Sequence, residues 1–299
     1  MKFKKYLFVV TILIAIILVI ELILCKAHYN KIDSGIEIIK KEKGKIFASS
    51  NYIYDYNLTS KNWQVITNIG PLHVLDIKSN YILYINTNNC CLYSLKMDTN
   101  DKIELDYSFN LGKISNNGKQ IVFSCFNGDL PILILYDIPT KTNKYILDGV
   151  LPNSISWGYN DKDIYYSFKD SIYKLDLNTL KSEFIVNGFF VTALSDNQLG
   201  FWQSHANGMN VYKIDLNDKH IIQVGAFDEN IMCSSWDPTG RYVIAVAWTT
   251  VHGFLFIPKP TALPIILDSN ENKKYILKET TGFLRGGFKP KNIIWENNF

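Results

Sequence analysis

The feature that most restricts the fold of this chain is a repeat of about 39 residues that runs from near residue 45 to the C-terminus. Asp137, Asp176 and Asp215 follow one another at intervals of 39 residues, and the segments 172–179 (IYKLDLNT) and 211–218 (VYKIDLND) match. Within each unit, alternating apolar residues and clusters of Asn, Asp, Gly and Thr predict four short strands. One such sheet cannot bury both of its faces, so the units must stack around a ring. The chain is therefore predicted to be an all-β β-propeller of four-stranded blades.

The number of blades follows from the second strand of each unit. Seven such strands are counted, beginning near Ile46, Ile82, Ile121, Ile164, Leu199, Val243 and Ile293. Third and fourth strands occur only six times, and residues 36–40 could complete a seventh blade by pairing with the C-terminal strands. We therefore expect seven blades. Six is the alternative if residues 45–49 are not a blade strand.

The segments between the first and second strands carry a recognisable pattern. Residues 236–245 (WDPTGRYVIA) contain a Trp, a polar turn with Pro and Gly, and an apolar strand, and residues 116–123 (NNGKQIVF) are a second copy. Looser copies lie at 157–165 and 288–295. This order resembles the repeat of TolB-type, WD40-like propellers over residues 45–299. The resemblance implies the architecture and no particular activity, because that fold serves many functions.

The N-terminus predicts a membrane anchor. Three Lys in residues 1–5 precede an apolar run, and residues 6–24 would span about 28 Å as a helix, close to the hydrocarbon thickness of a bilayer. The Lys cluster predicts a cytoplasmic tail at 1–5, a signal-anchor helix at 6–25 and a propeller outside the cell membrane. Residues 26–44 are expected to form a stalk with the strand that leads into the ring. Cleavage of the segment and lipidation at Cys25 are the alternatives.

Charge and motifs exclude several classes of function. The chain carries a net charge of +3, and the five Lys and one Glu of residues 1–31 contribute +4, so the remaining 268 residues sum to −1. That balance gives no basic field for nucleic acid. The five Cys and five His show no zinc-ligand spacing, and no nucleophile, phosphate or dinucleotide motif is present. We expect no metal and no cofactor.

One acidic segment has the spacing of a calcium-binding loop. Asp268, Asn270, Asn272 and Glu279 fall at the first, third, fifth and twelfth positions, but Lys273 stands where such a loop needs Gly. Asp268 also ends a third strand, as Asp137 does in an earlier unit. The repeat therefore accounts for it without calcium.

An insertion is the sharpest local signal. Asp215 and Asp268 are 53 residues apart instead of 39, and the surplus lies between a second and a third strand, at about residues 248–262. It contains an apolar run, with Phe254 and Phe256, between Gly253 and Pro258. An apolar run in a surface loop is a candidate contact for a partner. The alternative is an extra strand or a plug packed on the ring.

The same face of the ring is expected to gather further candidate residues. Loops between second and third strands and links between blades usually share one face, which would bring together Trp202, His205, Trp248, His252 and Arg285. Indole, imidazole and guanidinium groups at such a mouth could hold a polar ligand or an extended peptide. The competing interpretation is that the loop His are solvated and the strand Trp are core.

These observations predict a membrane-anchored extracytoplasmic propeller that binds or scaffolds a protein, peptide or glycan without catalysis. The first alternative is a glycan hydrolase or lyase whose site is dispersed around the channel mouth. The second is a structural partner of a membrane complex, assembled through the helix and the inserted loop. No acid/base pair has an interpretable spacing, which favours the non-catalytic functions.

Overall fold

The computed structural model describes residues 16, 19, 45–49, 53–57, 62–67, 72–78, 81–86, 89–94, 102–105, 109–206, 208–228, 230–252, 258–276 and 292–296. Of the predicted anchor at 6–25, only Ile16 and Val19 belong to this set, and both are helical and exposed. The predicted tail and stalk lie outside it. In the part of the chain that the structure describes, no helix has both the length and the apolar character needed to cross a bilayer.

The described residues form six antiparallel sheets of four strands, which are numbered here as blades 1 to 6. Blade 1 contains β1 (Lys45–Ser49), β2 (Ile53–Asn57) and β3 (Asn62–Thr67), and blade 2 contains β4 (Leu72–Lys78), β5 (Tyr81–Asn86), β6 (Asn89–Ser94) and β7 (Lys102–Leu105). Blade 3 contains β8 (Phe109–Ile114), β9 (Gln120–Asn127), β10 (Leu130–Asp137) and β11 (Thr142–Asp148). Blade 4 contains β12 (Ser154–Trp157), β13 (Asp163–Phe168), β14 (Ser171–Asp176) and β15 (Ser182–Asn187). Blade 5 contains β16 (Phe189–Ser195), β17 (Gln198–His205), β18 (Gly208–Asp215) and β19 (Ile221–Phe227), and blade 6 contains β20 (Asn230–Trp236), β21 (Tyr242–His252), β22 (Pro258–Asp268) and β23 (Lys273–Ile276). The last strand, β24 (Asn292–Glu296), belongs to blade 1.

The ring closes by pairing the two ends of the propeller in one sheet. β24 is the inner strand of blade 1 and pairs with β1, with Ala48 opposite Ile293 and Ile46 opposite Trp295. The inner strands β24, β4, β8, β12, β16 and β20 contact one another in that order, and β20 contacts β24 again. All-β propeller architecture is confirmed, and closure of this kind protects strand edges.

The expected number of seven blades is wrong for the described residues, which form six. Ile46 and Ile293 lie in neighbouring strands of a single sheet, whereas each had been counted as the second strand of a separate blade. β24 is a first strand. Six blades therefore arise although Lys45–Ser49 is a blade strand, so the condition attached to the alternative was also wrong. Residues 36–40, expected to complete a seventh blade, lie outside the described residues.

Alternate residues of one strand pack against different neighbouring blades. In β9, Ile121 and Phe123 belong to a cluster that includes Leu83 of blade 2, whereas Val122 packs with Trp157 of blade 4. The three β9 side chains are fully buried. Burying one such side chain stabilises the fold by about 1.5–3 kcal/mol. Blade 3 gains this on both of its faces only when blade 2 and blade 4 are both in place. This period-two pattern is the physical reason that the repeat folds only as a ring.

The turns between first and second strands show why the Gly of the repeat is needed. The Gly240 N–H donates to the Asp237 carbonyl at 3.0 Å, and Gly240 has a φ of +70°. Gly118 occupies the same place in blade 3 with a φ of +69°, and Asp161 does so in blade 4 with a φ of +58°. Only glycine adopts this left-handed conformation without steric cost. Asp161 is therefore the exception among these three turns.

The Asp residues that end the third strands cap the turns that follow. The carboxylates of Asp137, Asp176, Asp215 and Asp268 each accept a backbone N–H two or three residues onward, at 2.7–2.9 Å. Backbone hydrogen bonds of this kind lower the pKa of Asp137 and Asp176 below the ordinary value. The 39-residue spacing is thus a turn requirement.

Both carboxylate oxygens of Asp268 accept hydrogen bonds within the protein. Burial acts to raise the pKa of its carboxyl, but the Arg241 guanidinium and the backbone N–H groups outweigh it, and the pKa lies below its ordinary value. Arg241 Nη2 donates to Oδ2 at 2.8 Å, and the Asn270 N–H donates to Oδ1 at 2.9 Å. These contacts support the interpretation that the repeat, and not calcium, accounts for the carboxylate.

Candidate functional site

The two faces of the ring differ in what they carry. We call the face with the turns between first and second and between third and fourth strands the turn face. The opposite face, called the loop face, carries the hairpins between second and third strands and the links between blades. β17 and β21 both run toward the loop face, and His205 and His252 are their last residues. The sequence-predicted residues of β17 and β21 therefore share one face.

The surplus of residues in blade 6 forms an extended hairpin. β21 and β22 pair without a shift in register from Tyr242 opposite Asp268 to His252 opposite Pro258, eleven residues in each strand. The corresponding strands of blades 3 and 5 have eight residues each. Three further pairs lengthen the hairpin by about 10 Å. The expected surface loop is therefore largely paired strand, and only residues 253–257 at its tip lie outside the described residues.

The predicted site residues fall into two groups. Trp202, His205, Trp248 and His252 lie on β17 and β21. Phe254, Phe256 and Arg285 lie outside the described residues. Trp202 is fully buried, so its ring faces are not available to stack on a ligand as expected from the sequence. His205 is half-buried at the end of β17, opposite Gly208.

Blade 5 carries an aromatic site at its loop-face end. The rings of Phe189 and Phe190 meet edge-on at 5.1 Å, Phe190 meets Trp202 edge-on at 6.4 Å, and Trp202 stacks on Phe227 at 5.3 Å. Trp202 and Phe227 are fully buried, whereas Phe189, Phe190 and Met209 are half-buried against them. We call these five residues the blade-5 aromatic site. It offers apolar surface above a rigid floor.

The link into blade 5 is the reason for this arrangement. Gly188 is the single residue between β15 and β16, and its φ is +153°. A Cβ at this position would lie 2.6 Å from the Phe201 ring and 2.9 Å from the Trp202 carbonyl oxygen. Only glycine fits here, and the chain passes close to β17 before the two Phe residues.

Phe190 adopts an unfavourable backbone conformation. Its φ is +51°, and the pairing of β16 with β17 is irregular between Phe189 and Thr192. The left-handed region costs a bulky residue about 1–2 kcal/mol. Such strain persists where the surrounding structure imposes it, and it concentrates at functional sites. The irregular pairing therefore places an aromatic residue in this strained conformation on the inner strand of blade 5, at the loop face of the ring.

The Trp202 indole nitrogen adds a polar group to this apolar environment. Nε1 is buried and has no hydrogen-bond partner among the residues that the structure describes. An unpaired buried N–H costs about 1–3 kcal/mol and calls for an explanation. Gln203 Nε2, one residue on, donates to the Asn187 carbonyl at 2.8 Å. The Trp202 N–H is therefore a buried donor beneath half-buried aromatic surface, and polar groups among apolar side chains are a feature of binding sites.

Metal and thiol chemistry find no support in the described part of the chain. Its residues include no group of three or more His, Cys, Asp or Glu that could hold a metal ion. Cys125 is a free, buried cysteine, and burial raises the pKa of its thiol to about 11. A thiol with that pKa is protonated at neutral pH and is a poor nucleophile.

Sequence reasoning missed Phe189 and Phe190. Their signal was the Gly188-Phe189-Phe190 segment, a Gly and two aromatic residues where the repeat places a link between blades. The other four links between blades 1 and 6 have two to five residues, as judged from the strand bounds. A one-residue link predicts a close approach of the chain to the preceding strands. The conformation of Phe190 was not predictable, because nothing local to a Phe favours positive φ.

The described residues form a β-propeller of six four-stranded blades, and this fold is similar to that of solved TolB structures. TolB from Acinetobacter baumannii superposes with a TM-score of 0.66 at 14% identity, covering 85% of this chain and 67% of that chain. A structure described as TolB of Agrobacterium tumefaciens gives a TM-score of 0.59 at 14% identity, over 79% and 88% of the two chains. An oligogalacturonate lyase in complex with manganese gives 0.53 at 9% identity, over 75% and 69%. No family model and no curated protein sequence matches the chain. These likenesses show the fold alone.

Proposed function

We propose that this chain is a non-catalytic binding propeller that holds a protein, peptide or glycan on its loop face outside the cell membrane. The blade-5 aromatic site carries the proposal. It combines half-buried aromatic surface, a strained Phe190 and a buried Trp202 N–H that has no partner among the described residues, all at one end of the ring. Rigid aromatic side chains over a packed floor are the usual anchors of binding surfaces.

The proposal includes membrane attachment through residues 6–25. β1 is a second strand, so it begins on the turn face and runs toward the loop face. Lys45 therefore lies on the turn face, which is where the preceding residues join the ring. An anchor on that side would present the loop face away from the attachment point. His205, Trp248, His252, Phe254, Phe256 and Arg285 are proposed to contribute to the same contact surface, which remains open to a partner in the extracytoplasmic space.

The test is capture of a ligand by the full chain in its native membrane, with two matched variants. Phe190→Asn removes the ring and keeps a residue that tolerates positive φ. We expect about tenfold weaker binding, the usual effect of losing an aromatic anchor. Phe184→Asn is the control, because Phe184 is 52% exposed on the outer strand of blade 4. Equal binding by both variants and the parent chain would contradict the proposed site.

Catalysis is tested separately. The same architecture serves an oligogalacturonate lyase. The purified chain should release no product from oligogalacturonate, measured by chromatography with and without added manganese. Turnover of oligogalacturonate by the purified chain would contradict the non-catalytic function and favour an enzymatic one.

A further inference from the structure

The extended hairpin of blade 6 has two edges that the neighbouring strands among the described residues cover only in part. On one side, β20 pairs with β21 as far as Asn230 opposite Trp248. On the other side, β23 pairs with β22 only from Ile265 to Asp268. Beyond those points, among the described residues, β21 and β22 pair only with each other, as far as His252 opposite Pro258. The edge of β21 beyond Trp248 is called the inner edge, and the edge of β22 beyond Ile265 the outer edge.

The direction of each backbone group follows from the register. In a β-strand, every second residue directs its backbone N–H and C=O groups toward one neighbouring strand. The residues between them direct these groups toward the other neighbouring strand. The Tyr242 carbonyl accepts from the Asp237 N–H at 2.8 Å, so Tyr242 faces β20. Because β21 and β22 pair without a shift, Thr250 and His252 face the same side as Tyr242. Their N–H and C=O groups therefore lie along the inner edge.

The outer edge is closed to an added strand. Asp268 pairs with Tyr242 and faces away from β21, so residues 258, 260, 262 and 264 also direct their backbone groups outward. Three of these four residues are Pro258, Pro260 and Pro264, which have no N–H. Proline on an exposed edge is a common protection against pairing with another chain.

The inner edge has no such protection. Residues 249–252 (TTVH) contain no proline, and their three β-branched residues favour a strand. No strand of the described residues pairs with Thr250 or His252 on this side. An unprotected edge offers paired donors and acceptors to an incoming strand. The two edges of this hairpin therefore differ in their capacity to pair with an added strand.

We propose that Thr250 and His252 bind an extended peptide of a partner protein as an added strand. The inference rests on the proposed binding function and specifies how a peptide partner would be held. The strand would extend the line of β20 on the loop face. The edge begins beyond Trp248, which pairs with Asn230, and Asn230 follows Phe227 of the blade-5 aromatic site by three residues.

A short peptide fits this edge better than a second copy of the chain. Two residues supply two N–H and two C=O groups, enough for a segment of about four or five residues. A stable dimer buries about 1,200–2,000 Å² in total, far more than an edge of this length provides. The prolines also prevent one hairpin from pairing through its outer edge with the inner edge of another. The occupant is therefore a peptide segment.

The experiment compares the same substitution on the two edges of one hairpin. Thr250→Pro removes an N–H from the inner edge, and Ala262→Pro removes one from the outer edge. Each position follows a Thr, so the restraint that proline places on its predecessor is matched. Circular dichroism and the thermal midpoint establish that both full-length variants fold.

The probe is a set of 12-residue peptides selected on the full chain from a random display library. We expect Thr250→Pro to weaken their binding about tenfold or more and Ala262→Pro to leave it unchanged. N-methylation of successive peptide amides should weaken binding at every second position, the signature of an added strand. Equal binding by Thr250→Pro, the absence of the period-two pattern, or failure to select any binding peptide would overturn the inference. Ligand capture weakened by Phe190→Asn would still support the proposed function in each of those cases.

Hydrogen exchange of the backbone amides distinguishes a partner peptide from the two other occupants of the inner edge, the chain itself and a second copy. The amides of Thr250 and His252 should exchange rapidly in the free chain and slowly with bound peptide. Slow exchange in the isolated monomer would mean that the chain itself covers the edge, and concentration-dependent dimerisation lost in Thr250→Pro would mean that a second copy does. Either result would overturn the assignment to a partner peptide.

Discussion

Asp161 connects the turns of two blades, and replacing it separates two opposing effects. Its carboxylate accepts the Asn116 N–H at 2.7 Å and the Asn117 N–H at 2.9 Å from the neighbouring turn of blade 3. The same residue has a φ of +58° at the position that Gly240 fills in blade 6. The hydrogen bonds stabilise the fold, whereas the conformation costs free energy.

The magnitudes predict an order of stability. Two bonds to a half-exposed carboxylate contribute about 2 kcal/mol together, at about 1 kcal/mol each. Asp161→Asn keeps one acceptor and tolerates positive φ, so the free energy of unfolding should fall by about 1 kcal/mol. Asp161→Gly loses both bonds but recovers about 1 kcal/mol of backbone strain, partly offset by the greater entropy of the unfolded chain. Asp161→Ala loses the bonds and worsens the strain, for a total of about 2–3 kcal/mol.

Urea unfolding of the full chain, followed by far-ultraviolet circular dichroism, measures these differences as shifts in midpoint at constant m-value. The expected order from most to least stable is the parent chain, Asp161→Asn, Asp161→Gly and Asp161→Ala. A Gly variant more stable than the parent would refute the reasoning, since it would mean that the connection between the blades contributes less than the strain costs.

Two further predictions follow from the turns and the link into blade 5. Gly188→Ala should destabilise the chain by about 2–4 kcal/mol, because the new Cβ would overlap the Phe201 ring and the Trp202 carbonyl. Gly128→Ala is its control: Gly128 also has positive φ, but nothing lies within 4 Å of the added Cβ, so about 1 kcal/mol is expected. Similar losses in the two variants by urea unfolding would show that packing at the link is unimportant. The second prediction concerns acid. The pKa of Asp137, Asp176 and Asp268 is lower in the folded chain than the ordinary value of 3.8. The stability that they contribute is therefore present above about pH 4 and is lost as the pH falls through the lower folded values. Unfolding measured between pH 2 and pH 7 should show this loss, and Asp268→Asn should reduce the acid dependence; an unchanged profile in that variant would exclude a contribution from its carboxylate.

Much of the fold was accessible from the sequence because its determinants are local. The spacing of Asp137, Asp176 and Asp215 marks turns that each Asp caps with its own carboxylate. The turn that ends in Gly240 needs a residue that accepts positive φ, and its Gly predicts that need. A continuous apolar run identifies a strand with two buried faces, as at residues 121–123 of β9. Each of these signals involves residues within a few positions of one another.

Only part of the candidate site could be predicted from the sequence. The sequence indicated one face for His205 and His252, and it left Trp202 open between the mouth and the core, where the structure has it fully buried under Phe190. The surplus in blade 6 was interpreted as a surface loop or as an extra strand, and it is mostly a paired hairpin. Whether a surplus forms strand depends on a register that begins at Tyr242, ten residues before His252.

Periodicity and turn chemistry in the amino-acid sequence determined that this chain forms sheets that stack in a ring, because a blade with two apolar faces has no other way to bury them. The tertiary structure alone decided that β24 completes the sheet of β1, since that pairing joins residues about 250 positions apart and depends on closing the ring. It also decided the strained conformation of Phe190 and the edge of β21 that the described strands leave partly unpaired. Both arise where neighbouring strands end, and strand ends are set by packing between blades.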